Sequence, residues 1–251
     1  VDWGYRYKPN FHFRGESFSL ILKRLPSAML SEGVHQVNAF VDKNMASTFP
    51  DGAVSSLNYG HRLNNVFSGL LSTAISTAMF PQMVELISQK KHEELKKLLT
   101  KILDIFVLLM VPVTLACVLF SKDLVVAVYA RGAFQEESVA VTSGVFTYYC
   151  LSLLFVASST VISNVFYGFG DTRTPLNISV VNMVINVALN LILSHYMGVN
   201  GLALATSLSA MITLGIRMLY VRKYVTLEWK VLAAGFGKVL LGRRLPRPMY
   251  D

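Results

Sequence analysis

Four stretches of this chain carry no Asp, Glu, Lys or Arg: 63–84, 105–121, 138–170 and 174–216. A bilayer core takes roughly 20 apolar residues per helix, so the last stretch is long enough for two crossings. The sequence "SHYMGVNG" (194–201) is the expected break between them, with two glycines and no bulky aliphatic run. The pattern predicts six spans, at about 24–48, 63–86, 102–120, 141–168, 175–194 and 201–221. The joints are "FPDG" (49–52), the lysine-rich "SQKKHEELKK" (88–97), "GDTRTP" (170–175) and the glycine break. Segment 121–137 is too short and too charged to cross, and reads as an interfacial helix followed by a turn.

Composition agrees with a lipid-exposed chain. Only 15% of the 251 residues are charged and 53% are hydrophobic, with a mean hydropathy of +0.48; a soluble domain carries about 25% charged residues. The fold class expected is an all-α polytopic membrane protein. The net charge of +8 is read as a topology signal rather than a nucleic-acid footprint, because Lys23, Arg24, Lys90, Lys91, Lys96, Lys97, Lys101, Arg173, Arg222 and Lys223 fall on alternate joints. That side is expected to be cytoplasmic, with both ends of the chain on it. Residues 1–22 form a lead-in, 23–222 the bundle, and 223–251 a basic tail read as a further span cut short; the chain reads as a piece of a longer protein. Cys117 and Cys150 lie within predicted spans and are expected to pack, without a disulfide or a metal.

The first span carries the candidate chemistry. Glu32, His35, Gln36, Asp42 and Lys43 fall within an arc of about 120° at 100° per residue. A soluble amphipathic helix would show the same pattern, but an intramembrane charge must face a cavity, pair or snorkel. In the fifth span Asn182, Asn186 and Asn190 stand at i, i+4 and i+8 on one face. They serve either helix–helix hydrogen bonding or, with Asp42 and the Thr206 hydroxyl, an oxygen-ligand site for a small cation. Arg62, just ahead of a long apolar run, either snorkels or presents its planar fork to an anionic headgroup. No cofactor is expected; coupling to Na+, to H+ or to the membrane potential is left open.

Several phrases carry a resemblance. "VHQVNAFVDKNMAS" (34–47), "SLNYGHRLNNVFSGLLSTAISTAMFP" (56–81), "ARGAF" (130–134), "VFYGFGDTRTP" (165–175) and "GLALATSLSA" (201–210) resemble, in order, signatures of the MurJ/MviN family of lipid II flippases in the MOP exporter superfamily. The first two look like that family's seventh and eighth helices. The likeness covers roughly 20–222, about half of a fourteen-helix plan. It implies the second lobe of a bacterial inner-membrane flippase for undecaprenyl-pyrophosphate-linked peptidoglycan precursor. The partners implied are that lipid-linked anionic substrate, membrane lipids and a first lobe of the same protein. Arg62 matches the family's cavity arginine in the eighth helix; with Glu32, His35 and Asp42 from the polar face of the first span, it makes up the set of candidate substrate-binding residues. His61 stands where the family carries Asn or Asp.

Other readings have less behind them. "GFGD" (168–171) fits the GxGD pattern of intramembrane aspartyl proteases, but that chemistry needs two facing carboxylates, and Asp171 sits in a joint. "SQKK" (88–91) matches S-x-x-K on an exposed, lysine-rich joint. The chain is expected not to be an enzyme. Within transport, a polysaccharide-lipid flippase or a cation-coupled multidrug exporter of the same superfamily is the alternative.

Overall fold

The computed structural model describes residues 16–132 and 134–225. Among these, eight helices follow one another: α1 (Glu16–Ala46), α2 (Ala53–Ser88), α3 (His92–Leu119), α4 (Ser121–Tyr129), α5 (Glu136–Cys150), α6 (Leu153–Gly168), α7 (Arg173–Met197) and α8 (Val199–Val221). The expected lead-in before residue 16 and the basic tail after 225 lie outside the described residues. Helices α2, α3, α7 and α8 are each long and apolar enough to cross a membrane, and α5 with α6, bent by 44° at a short break, is long and apolar enough as a pair. The first expected span, 24–48, falls largely in α1, which is not apolar enough by composition; its place in the bundle comes from packing along α7. α4 is the short surface helix expected between charged residues.

Two joints differ from expectation. The fourth span is broken at Leu151–Ser152, although residues 145–167 hold neither glycine nor proline. There Ser152 donates both its backbone N–H (2.9 Å) and its hydroxyl (2.6 Å) to the Tyr149 carbonyl. That carbonyl is thereby taken from the i→i−4 ladder, and a side chain inserted into the ladder is a recognised cause of a kink. The second difference is the α7–α8 break, expected over 194–201 but made by Gly198 alone. Its φ of 58° is a left-handed value that an L side chain rarely adopts. Three residues on, a Cβ at position 201 would stand 2.2 Å from the Leu193 carbonyl oxygen, so only glycine lets the two helices close this corner.

The apolar core joins α2, α3, α5, α6 and α8, with Phe106, Phe146 and Phe166 fully buried. α2 meets it through a row at i+4 spacing, Ser56, Gly60, Asn64, Ser68, Ser72 and Ser76, all buried. At Gly60 the backbones come close: a Cβ there would lie 2.8 Å from Val145 Cγ1 on α5. Small residues of this kind let membrane helices approach where no hydrophobic drive separates protein from lipid. Cys117 and Cys150 are free and buried within the same core. The opposite surface of α1 exposes Met29, Leu30, Val37 and Phe40.

Candidate functional site

α1 lies along α7 by a row of polar contacts. The Ser27 hydroxyl donates to Thr172 Oγ1 (2.5 Å), Ser31 and Ser179 share a hydroxyl contact of 3.1 Å, and His35 Nε2 lies 3.4 Å from Ser179 Oγ. Further along, Asn190 Nδ2 donates to Asp42 Oδ1 at 2.6 Å. Spacings of four, four and seven residues keep these α1 positions on one helix face. Ser27 and Ser31 were not singled out from sequence, since serines are ordinary in membrane helices; only their continuity with His35 and Asp42 at helical spacing marks them.

From Asp42 the polar chain runs inward. Asn190 Nδ2 also reaches Asn186 Oδ1 (2.9 Å), and Asn186 Nδ2 donates to Thr206 Oγ1 (3.3 Å) and Ser209 Oγ (3.5 Å) on α8. Asn182, one turn away, accepts from the Thr213 hydroxyl at 2.7 Å. The asparagine stripe therefore does stitch α7 to both α1 and α8. It also brings together the four residues named as a cation set: Asp42, Asn186, Asn190 and Thr206. Asp42 is 7% exposed and both asparagines 0%, and Asn190 Oδ1 is buried with no partner. A carboxylate, two amide oxygens and a hydroxyl form an all-oxygen donor set, which suits a hard cation. In this structure Asp42 Oδ1 and Asn186 Oδ1 both accept from Asn190 Nδ2, so of the two amide oxygens only that of Asn190 is left without a partner. Among the described residues no cluster of three or more His, Cys, Asp or Glu could hold a metal.

The remaining candidates divide between two places. Glu32 and His35 line a cleft of about 480 Å³ between α1, α6, α7 and α8, together with Arg217. Arg62 stands apart near the other end of the bundle. It is the tenth residue of α2, about 14 Å along it at 1.5 Å per residue, exposed on the surface of the bundle, and close enough to Tyr129 for its charge to act on that phenol. Burial raises the Tyr129 pKa and the Arg62 charge opposes the rise. Beside Arg62, the His61 ring lies 5.4 Å from that of Tyr149. The polar arc of α1 is likewise divided: Asp42 is buried against α7, while Glu32, Gln36 and Lys43 are exposed, and Gln36 donates to Glu32 at 3.1 Å.

Arg217 was missed. It is 7% exposed on α8 and donates to the Ser163 hydroxyl on α6. Its only sequence signal was its position five residues before Arg222 and Lys223, where it reads as part of the basic end of a span.

The two motifs with enzymatic echoes have structural roles. Asp171 Oδ1 accepts the backbone N–H groups of Arg173 (3.1 Å) and Thr174 (3.0 Å), and Oδ2 accepts the Tyr224 hydroxyl (3.0 Å). The carboxylate thus caps the start of α7 and ties it to the segment after α8. Partial burial pushes its pKa up, but the hydrogen bonds from Thr174, Tyr224 and Arg173 outweigh burial and hold it below the usual carboxylate value. Ser88 of the S-x-x-K match donates to the Glu85 carbonyl at 2.7 Å in a helix-ending turn.

The lipid II flippase MurJ family matches residues 1–242, further at both ends than the quoted phrases. A probable lipid II flippase MurJ of Rickettsia prowazekii is 28% identical over 213 residues, 85% of this chain and 42% of that protein. Its counterpart in Thermotoga maritima is 26% identical over 238 residues, 95% of this chain and 48% of that protein. The chain thus spans a little under half the length of these curated relatives. Among solved structures, a lipid II flippase MurJ in an inward closed conformation superposes with a TM-score of 0.74 at 22% identity, over 95% of this chain and 49% of that one. An outward-facing multidrug resistance MATE transporter of the MOP superfamily gives 0.71 at 18% identity, over 93% and 55%. These likenesses show the fold, that of a polytopic helical transporter. The match over 1–242 settles the kinship: the chain belongs to the lipid II flippase MurJ family.

Proposed function

We propose that this chain forms the second lobe of a flippase that moves an undecaprenyl-pyrophosphate-linked peptidoglycan precursor from the inner to the outer leaflet by alternating access. The observation that carries the reading is the family match across residues 1–242. The fold alone does not separate a flippase from a multidrug exporter, because structures of both kinds superpose about equally well. Alternating access requires two bundles around a shared midplane site, so the partner of this lobe is a first lobe of the same protein. The lysine-rich ends of α2 and α3 face the cytoplasm, following the positive-inside rule.

In this reading Arg62 receives the pyrophosphate. Its guanidinium is exposed and permanently charged, and its fork matches two phosphate oxygens at once. Asp42, Asn186, Asn190 and Thr206 hold a monovalent cation, which supplies positive charge to a buried carboxylate. Sodium is the candidate this donor set favours over a soft metal. Glu32 and His35 act elsewhere, in the cleft with Arg217.

The test is complementation in cells depleted of their own flippase, with the full-length protein. Arg62→Ala is expected to abolish growth at normal expression, and Arg62→Lys to restore it poorly because the bidentate fork is lost. Full rescue by the alanine variant would return Arg62 to a snorkelling role.

A further inference from the structure

The cleft holding Arg217 is a second polar site, separate from the Asp42 chain and from Arg62. Its walls come from four helices and carry one guanidinium, one carboxylate and hydroxyls including those of Ser163, Ser179 and Thr213. Arg217 is more than nine-tenths buried, yet it forms no ion pair with any described carboxylate. One donor goes to Ser163, while Nε is buried without a partner. A buried guanidinium left short of an anion is costly, since its removal from water is repaid only by well-placed acceptors. Across the cleft stands Glu32, and His35 lies within electrostatic reach of both charges. The cleft thus offers one positive pole and one negative pole, with neutral donors and acceptors between them.

Its depth is also informative. Arg217 lies four residues before the end of α8, Ser163 five before the end of α6, and Ser179 six after the start of α7. At 1.5 Å per residue these are about 6, 7.5 and 9 Å from one end of the bundle. This is the lysine-rich end, where α2 gives way to α3. A headgroup layer is only about 5–8 Å thick on each side, so the cleft sits near the level where headgroups meet acyl chains.

We propose that this cleft binds a zwitterion of the phosphoethanolamine type, with its phosphate on the Arg217 guanidinium and its ammonium on the Glu32 carboxylate. A simple anion would satisfy Arg217 but face Glu32, and a simple cation would do the reverse. A zwitterion meets both poles and leaves no net charge in the membrane. The volume of about 480 Å³ falls within the range of small-ligand sites, roughly 300–1,000 Å³. The group can come from a phospholipid entering between helices or from the free compound in water. Neither source depends on the chain transporting anything.

The experiment is native mass spectrometry of the full-length protein in detergent, titrated separately with phosphatidylethanolamine, phosphatidylglycerol and phosphatidylcholine. Wild type is expected to bind phosphatidylethanolamine about tenfold more tightly than the anionic lipid or the quaternary-ammonium lipid. Arg217→Gln should weaken it about tenfold. Glu32→Gln should lower it to the level of phosphatidylglycerol, by removing the ammonium partner alone. Glu32 is exposed, so this variant tests the site even where Arg217→Gln fails to fold. Free glycerophosphoethanolamine, a phosphodiester with the same single negative and single positive charge as the lipid headgroup, forms the second arm. Competition with the lipid would show that the headgroup suffices, whereas lipid binding without competition would assign the ligand to the membrane. Preference for phosphatidylglycerol, or lipid affinities unchanged by Glu32→Gln, would overturn the proposal.

Discussion

α3 and α6 pack on one another, and Leu99 and Phe106 of the one and Val161 and Phe166 of the other belong to a single cluster of fully or nearly fully buried apolar side chains. Where α1 meets α7, it is made by Ser31 on Ser179, His35 on Ser179 and Asp42 on Asn190. The first interface has the shape complementarity of a packed core, in which every lost methylene is felt. The second is at least as extensive, but it is lined by polar side chains and depends on direction. Hydrogen bonds between membrane helices average about 0.6 kcal/mol each, because an unpaired polar group finds other partners in the membrane. The bundle is therefore a firm apolar body carrying a helix joined to it by directional polar contacts; Glu32, His35 and Asp42 lie on that helix, while Arg62 stands on α2.

Breaking the firm side should cost most. Phe166→Ala removes a fully buried ring and is expected to destabilise the protein by about 3–5 kcal/mol, read as the shift of its unfolding midpoint in mixed micelles. Gly60→Leu is next. It drives a side chain into Val145 and the α5 backbone, at about 1–3 kcal/mol by overpacking, and a spin-label pair across α2 and α5 should record the separation. On the polar side the expected response is to ions rather than to volume. If Asp42, Asn186, Asn190 and Thr206 hold sodium, thermal stability should rise by about 1.4 kcal/mol for each tenfold increase in sodium above the dissociation constant, and Asp42→Asn should flatten that dependence. The same rise with a bulky organic cation would leave the cluster as a helix-joining network.

The smallest effect concerns Asp171. Because its folded-state pKa is held below the ordinary value, its capping contribution is present at pH above the unfolded carboxylate pKa. It should fade as pH falls through the lowered one. Asp171→Asn should remove that acid-side slope while changing stability at neutral pH by less than about 1 kcal/mol, the usual scale of a partly exposed cap.

Much of this comparison could be read from residue order. The apolar runs marked α2, α3, α7 and α8, and the i+4 asparagines marked the face of α7 that meets α1 and α8. Asp42 and Asn190, 148 residues apart, could be grouped in advance because each was a polar residue with no other place in lipid. The break at Ser152 could not. Its sequence has no glycine or proline, and the kink arises from a hydroxyl choosing the Tyr149 carbonyl, a choice fixed by packing rather than by propensity. Arg217 was hidden for another reason: a basic residue near the end of a span usually snorkels, and nothing in its neighbours says that α6 closes over it. The separation of Arg62 from Glu32 and His35 was equally invisible, because helical periodicity gives angle around an axis and not which partner helix covers it.

The turn at Gly198 has a mechanical consequence. A one-residue link with a carbonyl packed against Gly201 leaves α7 and α8 no slack at that end, so they cannot slide past one another or part there. Any relative movement must open like scissors, with the pivot at Gly198 and the greatest travel at the far tips, beside Arg173 and Val221. A small rotation at the corner becomes a wide displacement where Asp171 and Tyr224 clasp the tips together. The clasp at the tips acts together with the Asn182–Thr213 and Asn186–Thr206 bonds along the blades to keep the scissors shut.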